Sequence, residues 1–129
     1  MGLALLDTSI VIAALNRHDA LHRAASRAVR AERARHARAI SAITYAEILV
    51  GPLRAGPDAV AIVERFAAQT RILDVSPSIA RLAAELWVTR GLRLPDAVIV
   101  ATGLRHEADR ILTGDSRWKG IETVRVVDG

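Results

Sequence analysis

Short apolar runs alternate with longer amphipathic stretches along this chain, and most runs stop at an acid or a turn residue. Residues 3–6 (LALL) read as a short buried strand ending at Asp7, and Thr8 or Ser9 can cap a helix through IVIAALN. His18 and Asp19 mark a turn into a long helix over about 20–37, with Leu21, Ala25, Ala28 and Val29 on one face. Arg23, Arg27, Arg30 and Arg38 fall on the opposite face, and Glu32 on the apolar side suggests that the helix bends or ends early. Residues 38–42 read as a second strand, followed by a helix over 44–50 that Gly51-Pro52 stops. LRAGPDA reads as a loop, and Pro57 begins a helix to about Gln69. A strand over 71–75, a helix from Ser76-Pro77 to about Thr89 and a break at Gly91 follow. Pro95 suits the first turn of a helix through AVIVATGLRHEA, and 110–113 and 123–127 complete the strands. Strands alternating with helices at this spacing predict a single α/β domain over 1–129, its parallel sheet covered on both faces.

Composition narrows the class. With 129 residues, 51% of them hydrophobic and 3% aromatic, the chain suits one domain around an aliphatic core. No apolar run approaches the ~18 residues of a membrane span. The opening MGLALLDTSIVIAAL lacks the basic start of a signal peptide and is interrupted by Asp7, which predicts a soluble, cytoplasmic protein. Cysteine is absent, so disulfides, thiolate metal sites and cysteine nucleophiles are excluded together. The net charge is +4 and almost all of the positive charge is arginine, Lys119 being the only lysine. Between Arg17 and Arg38 only Asp19 and Glu32 oppose the basic residues, which makes a phosphate-rich partner plausible, although a GC-rich genome also enriches Arg and Ala.

Four acids stand where apolar runs end or begin: Asp7 after GLALL, Glu47 in SAITYAEIL, Asp96 in LRLPDAVIV and Asp115 in RILTGD. Asp7 and Asp115 follow predicted strands, while Glu47 and Asp96 fall in first turns of predicted helices. In an open parallel sheet that places all four near the carboxyl edge, where ligands bind. Gathered carboxylates repel one another unless a divalent cation lies between them, and oxygen-only donors select hard ions such as Mg²⁺ or Mn²⁺. The chemistry they suit is phosphodiester hydrolysis. Each acid has a local alternative. Thr44 to Glu47 matches a capping box, Asp96 after Pro95 is a good first-turn residue for any helix, and Asp115 in TGDS can shape a turn.

LLDTSIVIAAL, SAITYAEILVG, LRLPDAVIVATG and ILTGDSRW together resemble, in order and spacing, the signature of PIN-domain ribonucleases, and more narrowly the VapC toxins of VapBC toxin–antitoxin pairs. The resemblance covers essentially the whole chain. It implies a three-layer α/β/α sandwich around a five-stranded parallel sheet. It also implies a Mg²⁺- or Mn²⁺-dependent endoribonuclease, usually a homodimer held inactive by a small VapB-type antitoxin, with tRNA, rRNA or mRNA as the substrate. By position, Asp7, Glu47 and Asp96 match the family's acidic triad and Asp115 its fourth acid. Asp7 and Asp96 are expected as direct metal ligands, with Asp115 supporting directly or through water. Glu47 is expected to orient or deprotonate the attacking water, and Thr8, Ser9 and Thr113 to supply supporting hydroxyls. Attack by water rather than a ribose hydroxyl implies 5′-phosphate and 3′-hydroxyl ends. Pro95 and Arg93 depart from the small polar residues that many relatives carry there.

Outside these motifs, Arg23, Arg27 and Arg30 read as contacts for RNA or antitoxin, or as a solvated helix face. Trp118 reads as a base-stacking residue or as packing at the sheet edge. Trp87 and Phe66 read as core, and His18, His22, His36 and His106 as surface residues. Two other functions fit less of the chain. A non-catalytic PIN-like RNA-binding module usually lacks one or more of the acids. A phosphoacceptor receiver domain, imitated by Asp7, Asp74, Thr113 and Lys119, needs two neighbouring acids after its first strand, and only Asp7 is there. A dinucleotide-binding fold is excluded by the lack of G-x-G-x-x-G after the first strand.

Overall fold

The computed structural model describes residues 2–129. Its five strands are β1 (Gly2–Leu6), β2 (His36–Ser41), β3 (Arg71–Leu73), β4 (Arg110–Thr113) and β5 (Val124–Val126). They form one parallel sheet in the order β3-β2-β1-β4-β5. Six helices cover it: α1 (Thr8–Leu15), α2 (His22–Arg33), α3 (Ala42–Ala55), α4 (Pro57–Ala68), α5 (Pro77–Arg90) and α6 (Leu94–Arg105). Alternate strand residues face two separate cores, as the period of two requires. Leu3, Leu5, Ala39, Leu73 and Ile111 pack with apolar residues of α5 and α6. Leu6, Ile40 and Leu112 pack on the other side with α1 to α4. The predicted sandwich is what the chain forms. Its strand order also differs from the 2-1-3-4-5 order of receiver-like folds. No helix among the described residues is long and apolar enough to cross a membrane.

Several boundaries differ from the sequence-based expectation. Helix α2 ends at Arg33, before the expected 37, and Arg38 lies in β2 rather than on the helical arginine face. Glu32 explains the early stop. It is buried, and its carboxylate holds His36 Nδ1 at 2.5 Å and Arg110 Nε at 3.2 Å, pinning the chain into β2. Helix α3 continues through Gly51-Pro52, and most of the expected loop is helical. Pro52 falls in the last turn, where its missing N–H costs a single backbone bond. The break is Gly56, at φ +133°, whose N–H bonds Pro52 O before Pro57 opens α4. Helix α6 stops at Arg105 because Glu107 turns left-handed at φ +53°. The Glu107 N–H then bonds Leu104 O at 3.2 Å and the Ala108 N–H bonds Gly103 O at 2.9 Å, the paired bonds of a Schellman cap. Phe66 is partly buried against the second core, but Trp87 is 55% exposed rather than core.

Candidate active site

The order of strands reverses at β1, which has β2 on one side and β4 on the other. Such a switch point leaves a crevice at the carboxyl ends. Asp7 occupies it as the first residue after β1, tied to the neighbouring strand by its N–H on Leu112 O at 2.9 Å. Asp7 rather than Thr8 or Ser9 is the residue capping α1, and its side chain makes no cap bond. It turns instead to two hydroxyls. Ser9 Oγ and Thr113 Oγ1 each donate to Asp7 Oδ2 at 2.8 Å. Each hydroxyl in turn accepts a backbone N–H of the loop after β4: Gly114 on Ser9 at 3.1 Å, Asp115 on Thr113 at 3.0 Å. The amides therefore direct both hydroxyl protons onto one oxygen. No side chain among the described residues hydrogen-bonds the other oxygen, Oδ1.

Asp7 is 5% exposed. Burial pushes its carboxyl above the usual range, against the pull of the two hydroxyls and the Thr8 amide, and the charge on Asp96 adds to the rise. A cation held by this carboxylate would reverse that preference.

Glu47 stands on α3, but in its second turn rather than its first, because the helix starts at Ala42. The capping-box reading therefore fails. Ser41 caps α3, accepting the Ile43 N–H at 3.3 Å, and Thr44 is buried within the helix. Glu47 Oε1 instead lies 2.7 Å from Thr8 Oγ1, which is also 3.0 Å from Thr44 Oγ1. Thr8 has one proton, so it gives that proton to the carboxylate and accepts the Thr44 hydroxyl proton. Thr8 and Ser9 are adjacent, yet they serve two different acids. Thr44 is a supporting hydroxyl that sequence reading missed, because S/T-x-x-E looked like a cap.

Asp96 and Asp115 complete the rim, each beside an arginine. Asp96 lies in the first turn of α6 with Arg93 Nε 3.6 Å from its Oδ2. Asp115 caps the 3₁₀ turn Ser116–Trp118 and receives Arg117 Nε at 3.0 Å and Arg117 Nη2 at 2.6 Å. Arg117 above all holds the Asp115 carboxyl below its usual range, and Arg93 adds to the effect. Since Arg93 acts on Asp115 and Asp96 acts on Asp7, the three aspartates are electrostatic neighbours. Among the described residues no three His, Asp or Glu side chains close into a metal cage. Two of the expected ligands are turned toward guanidinium groups instead, and Arg117 is a participant that the motifs did not single out. The donor set still fits a hard cation: it is all oxygen, and one oxygen of the central aspartate is left open.

Trp118 does not belong to this surface. It is 1% exposed and packs in the core with Ile99, Ile111 and Ile121, so it is not placed to stack on a base. Arg23, Arg27 and Arg30 are exposed on the outer face of α2, and none forms an ion pair among the described residues.

The PIN domain family model matches residues 4–123. The chain belongs to the PIN-domain family. A chain of a toxin–antitoxin complex from Klebsiella pneumoniae is 30% identical to this PIN domain, with a TM-score of 0.81 over 95% of this chain and 96% of that one. A VapBC complex from Rickettsia felis, bound to a DNA fragment from its promoter, superposes with a TM-score of 0.78 at 21% identity, covering 98% of this chain and 99% of that one. A sarcin-ricin-loop-cleaving VapC toxin from Mycobacterium tuberculosis gives 0.75 at 21% identity over 97% and 99%. Among curated protein sequences none matches.

Proposed function

We propose that this PIN domain is the VapC-type toxin of a toxin–antitoxin pair, a Mg²⁺- or Mn²⁺-dependent endoribonuclease acting in the cytoplasm. The observation that carries the reading is Asp7, buried at the switch point with one oxygen clamped by Ser9 and Thr113, with Asp96 near enough to act on its charge and Glu47 bonded to the adjacent Thr8. Asp7, Asp96 and Asp115 would hold the cation, which when bound supplies Lewis-acid stabilisation of the phosphoryl oxygen. Ser9 and Thr113 fix the rotamer of Asp7. Glu47, steered by Thr8, orients or deprotonates the attacking water. Exposed apolar side chains on α5 and at the start of α6, among them Trp87, Val88 and Leu94, supply area for a homodimer or for a VapB-type antitoxin. The relationship to the Klebsiella toxin–antitoxin chain supports the antitoxin partner.

The attacking group decides the product ends. Mapping the ends of cleaved RNA is expected to give 5′-phosphates and 3′-hydroxyls, whereas 2′,3′-cyclic phosphates would mean attack by the ribose and would contradict the assignment. Thr8→Val, which removes the hydroxyl from Glu47 but keeps the shape, is expected to lower the cleavage rate about tenfold, less than the roughly 10²–10⁴-fold of losing a positioned acid–base group, because Glu47 itself stays. An unchanged rate would mean that Thr8 does not steer Glu47. The α2 arginines read best as phosphate contacts. Arg23→Ala or Arg27→Ala is expected to weaken RNA binding and lower its salt slope by about one unit each, and equal slopes in both variants would assign that face to solvent.

A further inference from the structure

An opening of opposite charge lies away from the acids. A cavity of about 440 Å³ sits where the end of α2 meets the amino ends of β2 and β3, lined by Arg33, His36, Arg38, Gln69, Thr70 and Arg71 among others. No carboxylate lines it. Two acids stand against His36 at one edge of the opening and away from its arginines. Glu32 is held by His36 and Arg110, and Asp109 accepts the Leu3 N–H at 2.9 Å and faces His36 Nε2 at 3.8 Å. Among the described residues Arg33, Arg38 and Arg71 form no ion pair. Arg38 is half-buried with its guanidinium 5.9 Å from the centre of the Phe66 ring, and it feels the charge of Arg33. Three arginines thus line one opening with no carboxylate paired to any of them, an arrangement that an external anion relieves.

We propose that this cavity is a phosphate-binding site, taking a phosphate group carried either by RNA or by a small free phosphate. Planar guanidinium forks bind phosphate oxygens in pairs, and the half-buried Arg38 gives the site a floor whose orientation the Phe66 ring holds. His36 begins β2 and Ser41 ends it, so the site lies roughly 17 Å along the strand from the carboxyl edge that carries the acids. A phosphate bound there is not the one being cut, and the proposal does not depend on the nuclease reading.

Calorimetric titration in EDTA tests it, with pyrophosphate, a short single-stranded RNA and poly-glutamate as separate probes. Wild type is expected to bind a phosphate probe, and Arg38→Gln or Arg71→Gln to weaken that binding about tenfold or more, the scale of one charge-assisted hydrogen bond. Circular dichroism confirms that the variants fold. If Arg38→Gln does not fold, Arg33→Gln and Arg71→Gln, both at exposed positions, carry the test. Arginine-dependent binding of pyrophosphate identifies a free phosphate as a sufficient ligand. The same dependence for RNA alone identifies the polynucleotide backbone. Absence of binding by both, binding that the substitutions leave unchanged, or poly-glutamate binding as tightly as the phosphate probes would overturn the assignment.

Discussion

Asp7→Asn is expected to abolish RNA cleavage while making the metal-free protein more stable. The loss should be roughly a thousandfold or more, the scale of a preorganised electrostatic group at a reacting centre. Asparagine keeps an acceptor for Ser9 and Thr113, so the loop after β4 stays in place. What disappears is the charge. Burial raises the Asp7 carboxyl above its value in the unfolded chain, so the folded protein disfavours the ionised form. That penalty is present above the raised value and vanishes as pH falls through it toward the unfolded value, about 3.9. The higher melting temperature of Asp7→Asn should therefore be largest near neutrality and shrink in acid. Added Mn²⁺ should stabilise wild type more than the variant, since only wild type keeps the carboxylate. A variant that cleaves normally, or one that melts lower than wild type at neutral pH without metal, would contradict the role given to Asp7.

Gly103→Ala should destabilise the fold by about 1–3 kcal/mol, even though alanine is the better helix former by about 1 kcal/mol. A Cβ on Gly103 would come within 2.5 Å of Ile111 Cδ1, 2.8 Å of Ile111 Cγ1 and 3.2 Å of Leu5 Cδ2. Leu5 and Ile111 are fully buried on the central strands, so neither has open space to move into. Helix α6 rests on β1 and β4 at that glycine, and it carries Asp96 at its other end. Thermal or urea unfolding would show the loss. Trimming the wall with Ile111→Val in the same chain should recover part of it, a coupling that a double-mutant cycle isolates. A stability equal to or above wild type for Gly103→Ala alone would mean that the contact between α6 and the sheet is looser than these distances.

The legible parts of this protein were those governed by periodicity and by termini. Apolar runs such as LALL and RILT announced strands, and the acids just beyond them were placed at the carboxyl edge because a strand has to end there. Side-chain direction was not legible. Thr44 and Glu47 satisfy a capping pattern, yet Ser41 holds the cap and Glu47 answers to Thr8, thirty-nine residues away. Gly51-Pro52 read as a stop because a helix usually ends near such a pair, but in the last turn of α3 a proline removes little. Trp118 follows Asp115 closely, and base stacking and packing at the sheet edge both suited its position; the 3₁₀ turn places it in the core. Glu32 looked like a blemish on an apolar face; its partner His36 falls in β2, beyond the end of α2, and Arg110 lies in β4, far along the chain.

A metal-dependent ribonuclease site at this sheet edge is tested first by cleavage of total RNA with the purified, antitoxin-free protein. Reactions with Mn²⁺, with Mg²⁺ and with EDTA would be run beside Asp96→Ala. Discrete fragments are expected with either metal, and none with EDTA or with Asp96→Ala. A folded wild-type protein that leaves RNA intact under every metal, or that cuts equally well in EDTA or without Asp96, would contradict this assignment, and intact RNA would leave the non-catalytic RNA-binding reading in its place.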